Sequence, residues 1–371
     1  ISEEDGLTVK SKKRTVIKAK PGVSPLLMGK MLLSNSVFLR LSDMSENLPE
    51  YEEEVIELKM DETQETAYRY FEDDMKHALK DALAMGDNSL LGSYLNALLS
   101  YPDRIYQGVT VYHPRTHDLV ACGTPVSGEM PKESELLQII DFEISQGRKV
   151  LVYIQNSATT DISPRLVKMI ADKGYRVKVL RSGNTERRSE KIDVWVKKGL
   201  DVLICNPKLV ETGLDLISFP SIVFYQCGYS TYTLRQASRR SWRITQKDPV
   251  KVYYLTYLAT MQTRAMKLIA TKLETSLALE GELTDKGLSA LSESSDSMSR
   301  QLAKALLDQM ADTGSLKDLW AAYRKKEIQM NCNVAGSKPV ELPVDEIPDS
   351  VEKMSVEAEQ IGDKVIKVSF T

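Results

Sequence analysis

The chain has 371 residues, of which 42% are apolar and 27% charged, a composition suited to a globular protein of two to three domains. No apolar run reaches the ~18 residues of a membrane span. The four cysteines, Cys122, Cys205, Cys227 and Cys332, form no CxxC pair, which argues against a disulfide scaffold or zinc knuckle and for a reducing, cytoplasmic compartment. Charge is segregated along the chain. Residues 131–275 carry 24 Lys and Arg against 14 Asp and Glu, a net of +10, whereas residues 1–130 have a net of −7 and residues 276–371 a net of −6. A basic middle between acidic flanks is the footprint of a polyanion-binding lobe; ordinary fluctuation in composition gives the same picture. The chain starts at Ile1 in a polar stretch without a signal-peptide pattern, and is expected to be a piece of a longer polypeptide.

In chain order, Arg14–Lys20 alternates as a strand that Pro21-Gly22 ends, and Val55–Met60 reads as a second strand. Tyr68, Phe71, Met75 and Leu79 recur at helical spacing, which predicts a helix from Thr63. Gly86-Asp87-Asn88 breaks it, Leu90–Leu99 resumes it, and Pro102 closes a helical hairpin. Residues 103–131 read as an irregular connection. His113 and His117 there suit a loop better than a metal pair, because Pro114 opposes the helix that would align them.

A regular alternation then begins. Ser134–Gln146 is a predicted helix stopped by Gly147, and Lys149–Ile154 a strand. Helix Ser163–Lys173 ends at Gly174, strand Arg176–Leu180 follows, and helix Thr185–Lys198 ends at Gly199. Asp201–Cys205, Ser221–Tyr225 and Val250–Leu255 complete the strands. This pattern predicts a parallel sheet covered on both faces, with ligands at the carboxyl ends of its strands. Beyond 275, short helices are predicted at 300–310 and 316–326, a linker or disordered segment at 335–350, and an isolated edge strand at 365–370.

Polar segments stand at the ends of the strands. Gln155-Asn156-Ser157 follows KVLVYI; Asn206 to Leu216 follows DVLIC; Arg235 to Gln246 lies between SIVFY and VKVYYL. Residues 131–275 resemble the second RecA-like lobe of superfamily-two helicases, and most closely the Swi/Snf-type translocases. KVLVYIQNS resembles motif IV, LRSGNTERRSEKIDVW the segment after it, NPKLVETGLDL motif V and RQASRRSWRITQ motif VI. LRLSDMSENLPEYEEEVIELKMDETQETAYRYF is similar to the stretch linking the two lobes. The sequence departs from the Swi/Snf pattern at Arg239, Trp242 and Thr245, and Glu211-Thr212 is closer to general superfamily-two helicases.

The resemblance implies roles. Arg240 and Arg243 match the two motif VI arginines, and an arginine placed on a transferring phosphoryl group accelerates its transfer by orders of magnitude. Three residues apart, they would share one face of a helix; a solvated basic face is the bland alternative. Gly213 and Asp215 fall at positions that approach the nucleotide, or else belong to an ordinary strand-to-helix turn, and Gln236 matches the glutamine that opens motif VI. Gln155, Asn156, Ser157, Ser182, Gly183, Asn206 and Lys208 occupy positions that touch the nucleic-acid backbone, where a capping or turn role is the competing reading. Trp242 suits either base stacking or the core.

A P-loop requires G-x-x-x-x-G-K-[ST]. The only Gly-Lys is Gly29-Lys30, followed by Met31. Asp61-Glu62 reads as a helix start rather than a metal-binding box. ATP and Mg²⁺ are therefore expected to be bound mainly by an amino-terminal lobe outside this chain, joined in cis or in trans. The chain is not expected to hydrolyse ATP alone.

The expected fold is α/β: a RecA-like parallel sheet with helices on both faces, a helical hairpin insertion and a partly disordered acidic C-terminal tail. The expected divisions are 1–62 (end of the first lobe and interlobe linker), 63–130 (helical protrusion and connection), 131–278 (the RecA-like domain) and 279–371 (C-terminal extension). The function implied is the C-terminal half of an ATP-dependent translocase on DNA, with RNA left open and no membrane partner. A non-catalytic nucleic-acid clamp or scaffold is the alternative. A Rossmann-type enzyme fits the sheet but lacks G-x-G-x-x-G after its first strand.

Overall fold

Runs of four consecutive buried residues, such as Val150–Tyr153 and Val202–Cys205, form the central strands, as strands covered on both faces require. The computed structural model describes residues 7–11, 14–18, 48–155, 160–181, 185–210, 214, 216–228, 230–279, 356–360 and 366–370. The predicted helices at 300–310 and 316–326 and the linker at 335–350 lie outside these residues.

Strands β1 (Leu7–Ser11) and β2 (Arg14–Lys18) pair as an antiparallel hairpin. They are followed by β3 (Tyr51–Leu58), α1 (Glu62–Ala84) and α2 (Leu90–Ser100). A 3₁₀ turn at Tyr101–Gln107 leads into a second hairpin, β4 (Val109–Tyr112) and β5 (Leu119–Gly123). The alternating region comprises α3 (Pro131–Ser145), β6 (Val150–Tyr153), α4 (Ser163–Asp172), β7 (Val177–Leu180), α5 (Thr185–Lys197) and β8 (Val202–Cys205). It continues through β9 (Ser221–Phe224), α6 (Thr231–Ser238), β10 (Val250–Tyr257) and α7 (Met261–Leu279). Residues 330–371 form a separate unit, whose described part is the antiparallel pair β11 (Val356–Gln360) and β12 (Ile366–Phe370).

The six-stranded sheet runs β3-β10-β9-β6-β8-β7, and every neighbouring pair is parallel. Side chains alternate between its faces. Val150, Val152, Ile204 and Val223 pack with Leu136 and Ile140 of α3 and Leu166 and Ile170 of α4. Leu151, Tyr153, Leu203 and Phe224 pack with Ile192 of α5, Leu234 and Ala237 of α6, and Met266 and Ile269 of α7. Burial of each large side chain contributes roughly 1.5–3 kcal/mol. A third core joins α1, α2 and the β4–β5 hairpin to Met261 and Ala265 at the start of α7. Helix α7 is thus shared between the sheet and the helical hairpin.

Several expectations change. The strand expected at Val55–Met60 begins at Tyr51. Its acidic half is tolerated because β3 is an edge strand, where exposed charge is acceptable, and Glu52 pairs with Lys251 at 3.3 Å. Residues 51–58, read from sequence as lying outside the 131–278 domain, therefore complete that domain's sheet. The connection at 103–131 contains a β-hairpin, packed so closely that a Cβ at Gly123 would stand 2.7 Å from the Tyr101 ring. Helix α7 was not predicted. Strand β12 is not isolated but paired with β11. At Asp61 the structure has a helix start: its carboxylate accepts the Gln64 N–H at 2.8 Å, a cap that contributes about 1 kcal/mol.

Candidate functional site

Strands β6, β8 and β9 end side by side, and the loops that follow are tied to one another. The Ile154 N–H donates to the Cys205 carbonyl at 3.0 Å, and the Gln226 N–H to the Tyr153 carbonyl at 3.2 Å. The Gln155 N–H donates to Gln226 Oε1 at 3.0 Å. Asn206 has both ends of its side chain engaged: Nδ2 donates to the Gln155 carbonyl at 2.6 Å, and Oδ1 accepts the Lys208 N–H at 3.0 Å. These bonds replace the water that loop backbone groups would otherwise need. Gly228 allows the β9 loop to approach, since a Cβ there would lie 2.9 Å from the Gln155 side chain.

The loops enclose a cavity of about 210 Å³ with Gln155, Lys208, Gln226, Ser230 and Thr233 on the sheet side and Asn96 of α2 opposite. Lys208 is exposed at its rim. Cys227 also lines it; burial pushes its thiol up to about 12, only partly offset by the Lys132 charge, so it is a protonated thiol at neutral pH. Beneath lies fully buried Lys132, whose Nζ bonds Asp103 Oδ1 at 2.8 Å and Gln262 Oε1 at 3.1 Å.

The sequence-predicted residues separate into two places. Gln155, Asn206 and Lys208 gather at the strand ends, with Asn206 in the capping role and its side chain spent within the protein. Arg240 and Arg243 do not line this cavity. They follow α6, which starts at the cavity with Ser230 as its N-cap, the hydroxyl accepting the Thr233 N–H at 3.2 Å. Gln236 is exposed on α6. Asn156, Ser157, Ser182, Gly183, Gly213 and Asp215 lie outside the described residues.

The expectation that Arg240 and Arg243 share a helix face is corrected. Helix α6 ends at Ser238. The Arg240 carbonyl, which a continuing helix would offer to residue 244, instead accepts the Leu216 N–H at 3.2 Å. The Ser241 hydroxyl returns a bond to the Leu216 carbonyl at 2.9 Å. Gln246 Nε2 reaches the Ile217 carbonyl at 2.8 Å. The segment carrying the arginines is thereby stitched to the segment after β8. Two further anchors hold it: the Tyr153 hydroxyl donates to the Ala237 carbonyl at 3.2 Å, and Trp242 Nε1 to the Pro49 carbonyl at 2.8 Å. Trp242 is a packing residue, 5.1 Å from the Tyr51 ring, and the Arg239 guanidinium lies 5.8 Å from the Trp242 ring. Arg240 is 8% exposed and Arg243 half-buried.

Sequence reasoning missed the loop after β9, which supplies Gln226, Cys227, Gly228 and Ser230 to the cavity. The same logic used for the other strand ends, a polar run directly after SIVFY, would have found it. It also missed Lys132 and Asp103, for which no local signal exists.

Comparison with known proteins finds similarity over part of the chain. The helicase conserved C-terminal domain model matches residues 131–245. The DNA repair and recombination protein RAD26 of Saccharomyces cerevisiae is 23% identical over 247 residues, covering 65% of this chain and 22% of the relative. The chromatin-remodeling ATPase INO80 of Candida albicans is 26% identical over 159 residues, covering 42% and 11%. The chain thus spans between about a tenth and a quarter of the length of these relatives. Among solved structures, the C-terminal part of the Fun30 ATPase domain aligns over 60% of this chain and 89% of that one, at 13% identity and a TM-score of 0.43.

Proposed function

We propose that this chain, whose residues 131–245 are a superfamily-two helicase C-terminal lobe of Swi/Snf type, is the C-terminal half of an ATP-driven translocase on double-stranded DNA. The observation that carries the reading is the stitch between Leu216 and Arg240 with its return bond from Ser241. It ties together the two segments that resemble motif V and motif VI. ATP and Mg²⁺ are bound mainly by the partner amino-terminal lobe. Arg243 and Arg240 reach the triphosphate from this side and stabilise the charge that spreads over the transferring phosphoryl group, a contribution of about 10³–10⁵ in rate for an arginine finger. Gly213, Asp215 and Gln236 border the nucleotide.

The strand-end loops hold the sugar–phosphate backbone through Lys208 and Gln155, with Asn156, Ser157, Ser182 and Gly183 at neighbouring positions; Asn206 positions the two loops. Contacts of this type hold register without reading sequence. The helical segment at 63–130 is a protrusion carried by the lobe, and the protein works in a reducing compartment, cytoplasmic or nuclear.

The test is Arg243→Ala in the complete protein, amino-terminal lobe included. DNA-stimulated ATP turnover should fall by about 10³-fold or more, while ATP binding persists. Undiminished turnover refutes the reading. Salt-sensitive DNA binding that ATP never alters would replace it with a non-catalytic clamp.

A further inference from the structure

The two edges of the sheet carry opposite charge. Edge strand β3 reads Tyr51-Glu-Glu-Glu-Val-Ile-Glu-Leu58, with Glu52 and Glu54 exposed. The other edge is β7, flanked by α4 on one face of the sheet and α5 on the other. Residues 165–198 there contain 11 Lys and Arg against 4 Asp and Glu, a net of +7. Lys168, Lys173, Lys178, Arg187, Lys191, Lys197 and Lys198 are all exposed. Among the described residues, none of these six lysines takes part in an ion pair. Among the described residues, the carboxylates on and beside these elements are Asp172, Glu190 and Asp193, all exposed, and Asp161 and Asp201, half-buried; Asp161 is paired with Arg181 at 2.9 Å and Asp201 accepts the Arg176 N–H at 2.8 Å.

The cations are ordered. Arg187, Lys191, Val194 and Lys198 are spaced four, three and four residues apart, which sets them in one line along α5. The Lys198 N–H still donates to the Val194 carbonyl at 3.1 Å, so the line runs unbroken to its end. Its length is about 17 Å, at 1.5 Å per residue. Val194, 46% exposed, stands in its middle, with the exposed Glu190 beside it, three residues after Arg187 and four before Val194. The line starts at the same end of the sheet as Gln155 and Lys208 and runs to the opposite end, since β7 and β8 are parallel.

We infer that this edge is a second, sequence-independent docking surface for the sugar–phosphate backbone of duplex DNA, separate from the strand-end loops. A straight, rigid row of cations suits a straight, rigid polyanion, and about 17 Å of duplex presents about ten phosphate charges. The surface continues the path that begins at Lys208. The inference needs no nucleotide and stands whether or not the chain is half of a motor.

The experiment uses the chain itself and a fluorescent duplex of mixed sequence, titrated between about 50 and 200 mM salt. Replacing Lys173, Lys178, Lys191 and Lys198 with Gln should lower the slope of log affinity against log salt by up to about 3.6, at ~0.9 per lost phosphate contact. Affinity at the lowest salt should fall at least tenfold, with an unchanged thermal melt. Lys208→Gln, away from this edge, should remove only about one such contact. An unchanged slope in the fourfold variant overturns the inference, as does a wild-type chain that fails to bind the duplex. A peptide of residues 335–352 that binds wild type, loses binding to the variant and leaves duplex affinity equal in both would assign the edge to an acidic protein segment instead. Loss of turnover or its retention in Arg243→Ala bears on the motor reading alone.

Discussion

Lys132→Met tests how the helical hairpin is fastened to the sheet. Lys132 is 0% exposed, and its ammonium meets Asp103 at 2.8 Å, Gln262 at 3.1 Å and the faces of Tyr225 and Tyr257 at 5.1 and 5.4 Å. Gln262 Nε2 spans to Asp103 Oδ2 at 3.0 Å and to the Leu99 carbonyl at 2.9 Å. The three residues come from the end of the hairpin, the start of α3 and the start of α7. Methionine keeps the stem and removes the charge, so Asp103 stays buried with the Gln262 amide as its remaining partner. Breaking a buried pair from one side costs about 3–5 kcal/mol. Removing both charges, as in Lys132→Met with Asp103→Asn, spares that uncompensated charge and should restore all but about 1–2 kcal/mol. Urea unfolding gives the totals. Hydrogen exchange of the α2 amides gives the local effect, and opening should rise at least a hundredfold in the single variant. A single-variant loss below about 1 kcal/mol, or a double variant equal to the sum of the singles, would refute the argument.

Other outcomes follow from the same structure. Asn206→Ala should cost about 1–2 kcal/mol and increase exchange of the Gln155 and Lys208 amides, because one side chain ties both loops; exchange confined to Lys208 would show that the bridge to the Gln155 carbonyl is idle. For Glu143, burial raises the carboxyl pKa, but bonds from Arg148, Ser221 and Tyr253 outweigh it and hold the group below its ordinary 4.5. A depressed folded-state pKa contributes stability that is complete above 4.5 and drains as pH falls through the folded value. The stability difference between wild type and Glu143→Gln should therefore shrink on acidification in urea titrations, and a pH-independent difference would count against it.

The central strands were legible because being covered on both faces leaves a plain mark: four apolar residues in a row, with a glycine ending the helix before or after. At Gly199 that mark has a local cause, a φ of +82° that side-chain-bearing residues rarely adopt. Strand β3 was half-legible. Its buried Val55 could be read, but Glu52 and Glu54 belong to a strand only because an edge faces solvent on one side. The end of α6 was illegible, since nothing local marks Ser238: no glycine, no proline, and a residue run that would continue a helix. What competes with it is the Leu216 N–H, which occupies the carbonyl of Arg240, 24 positions away in sequence. Helix α7 carried a readable signal in Thr260, whose hydroxyl accepts the Gln262 N–H at 3.2 Å, and its mixed burial against two cores blurred the periodicity. Residue types and order located the candidate site; which side chains are free to act was decided by partners that only the fold brings near, as Asn206 demonstrates.

The arginine segment is held by anchors rather than by helical continuity, and this has a consequence for how its position is set. Tyr153 fixes the end of α6 from β6, Leu216 fixes Arg240 from the loop after β8, and Pro49 fixes Trp242 from the entry to β3. One strand and two strand-flanking segments thus anchor one loop. A helix would let Arg240 and Arg243 shift together as a unit along its axis. Three separate anchors instead tie the backbone of this loop to the packing of the sheet, so that Trp242→Phe, which loses the bond to Pro49, is expected to shift that backbone. The chain entering β3 is also the stretch that resembles the connection between lobes, and Trp242 joins it to Arg243 through a single intervening bond of the backbone. A displacement of that stretch is therefore expected to shift the backbone that carries Arg243.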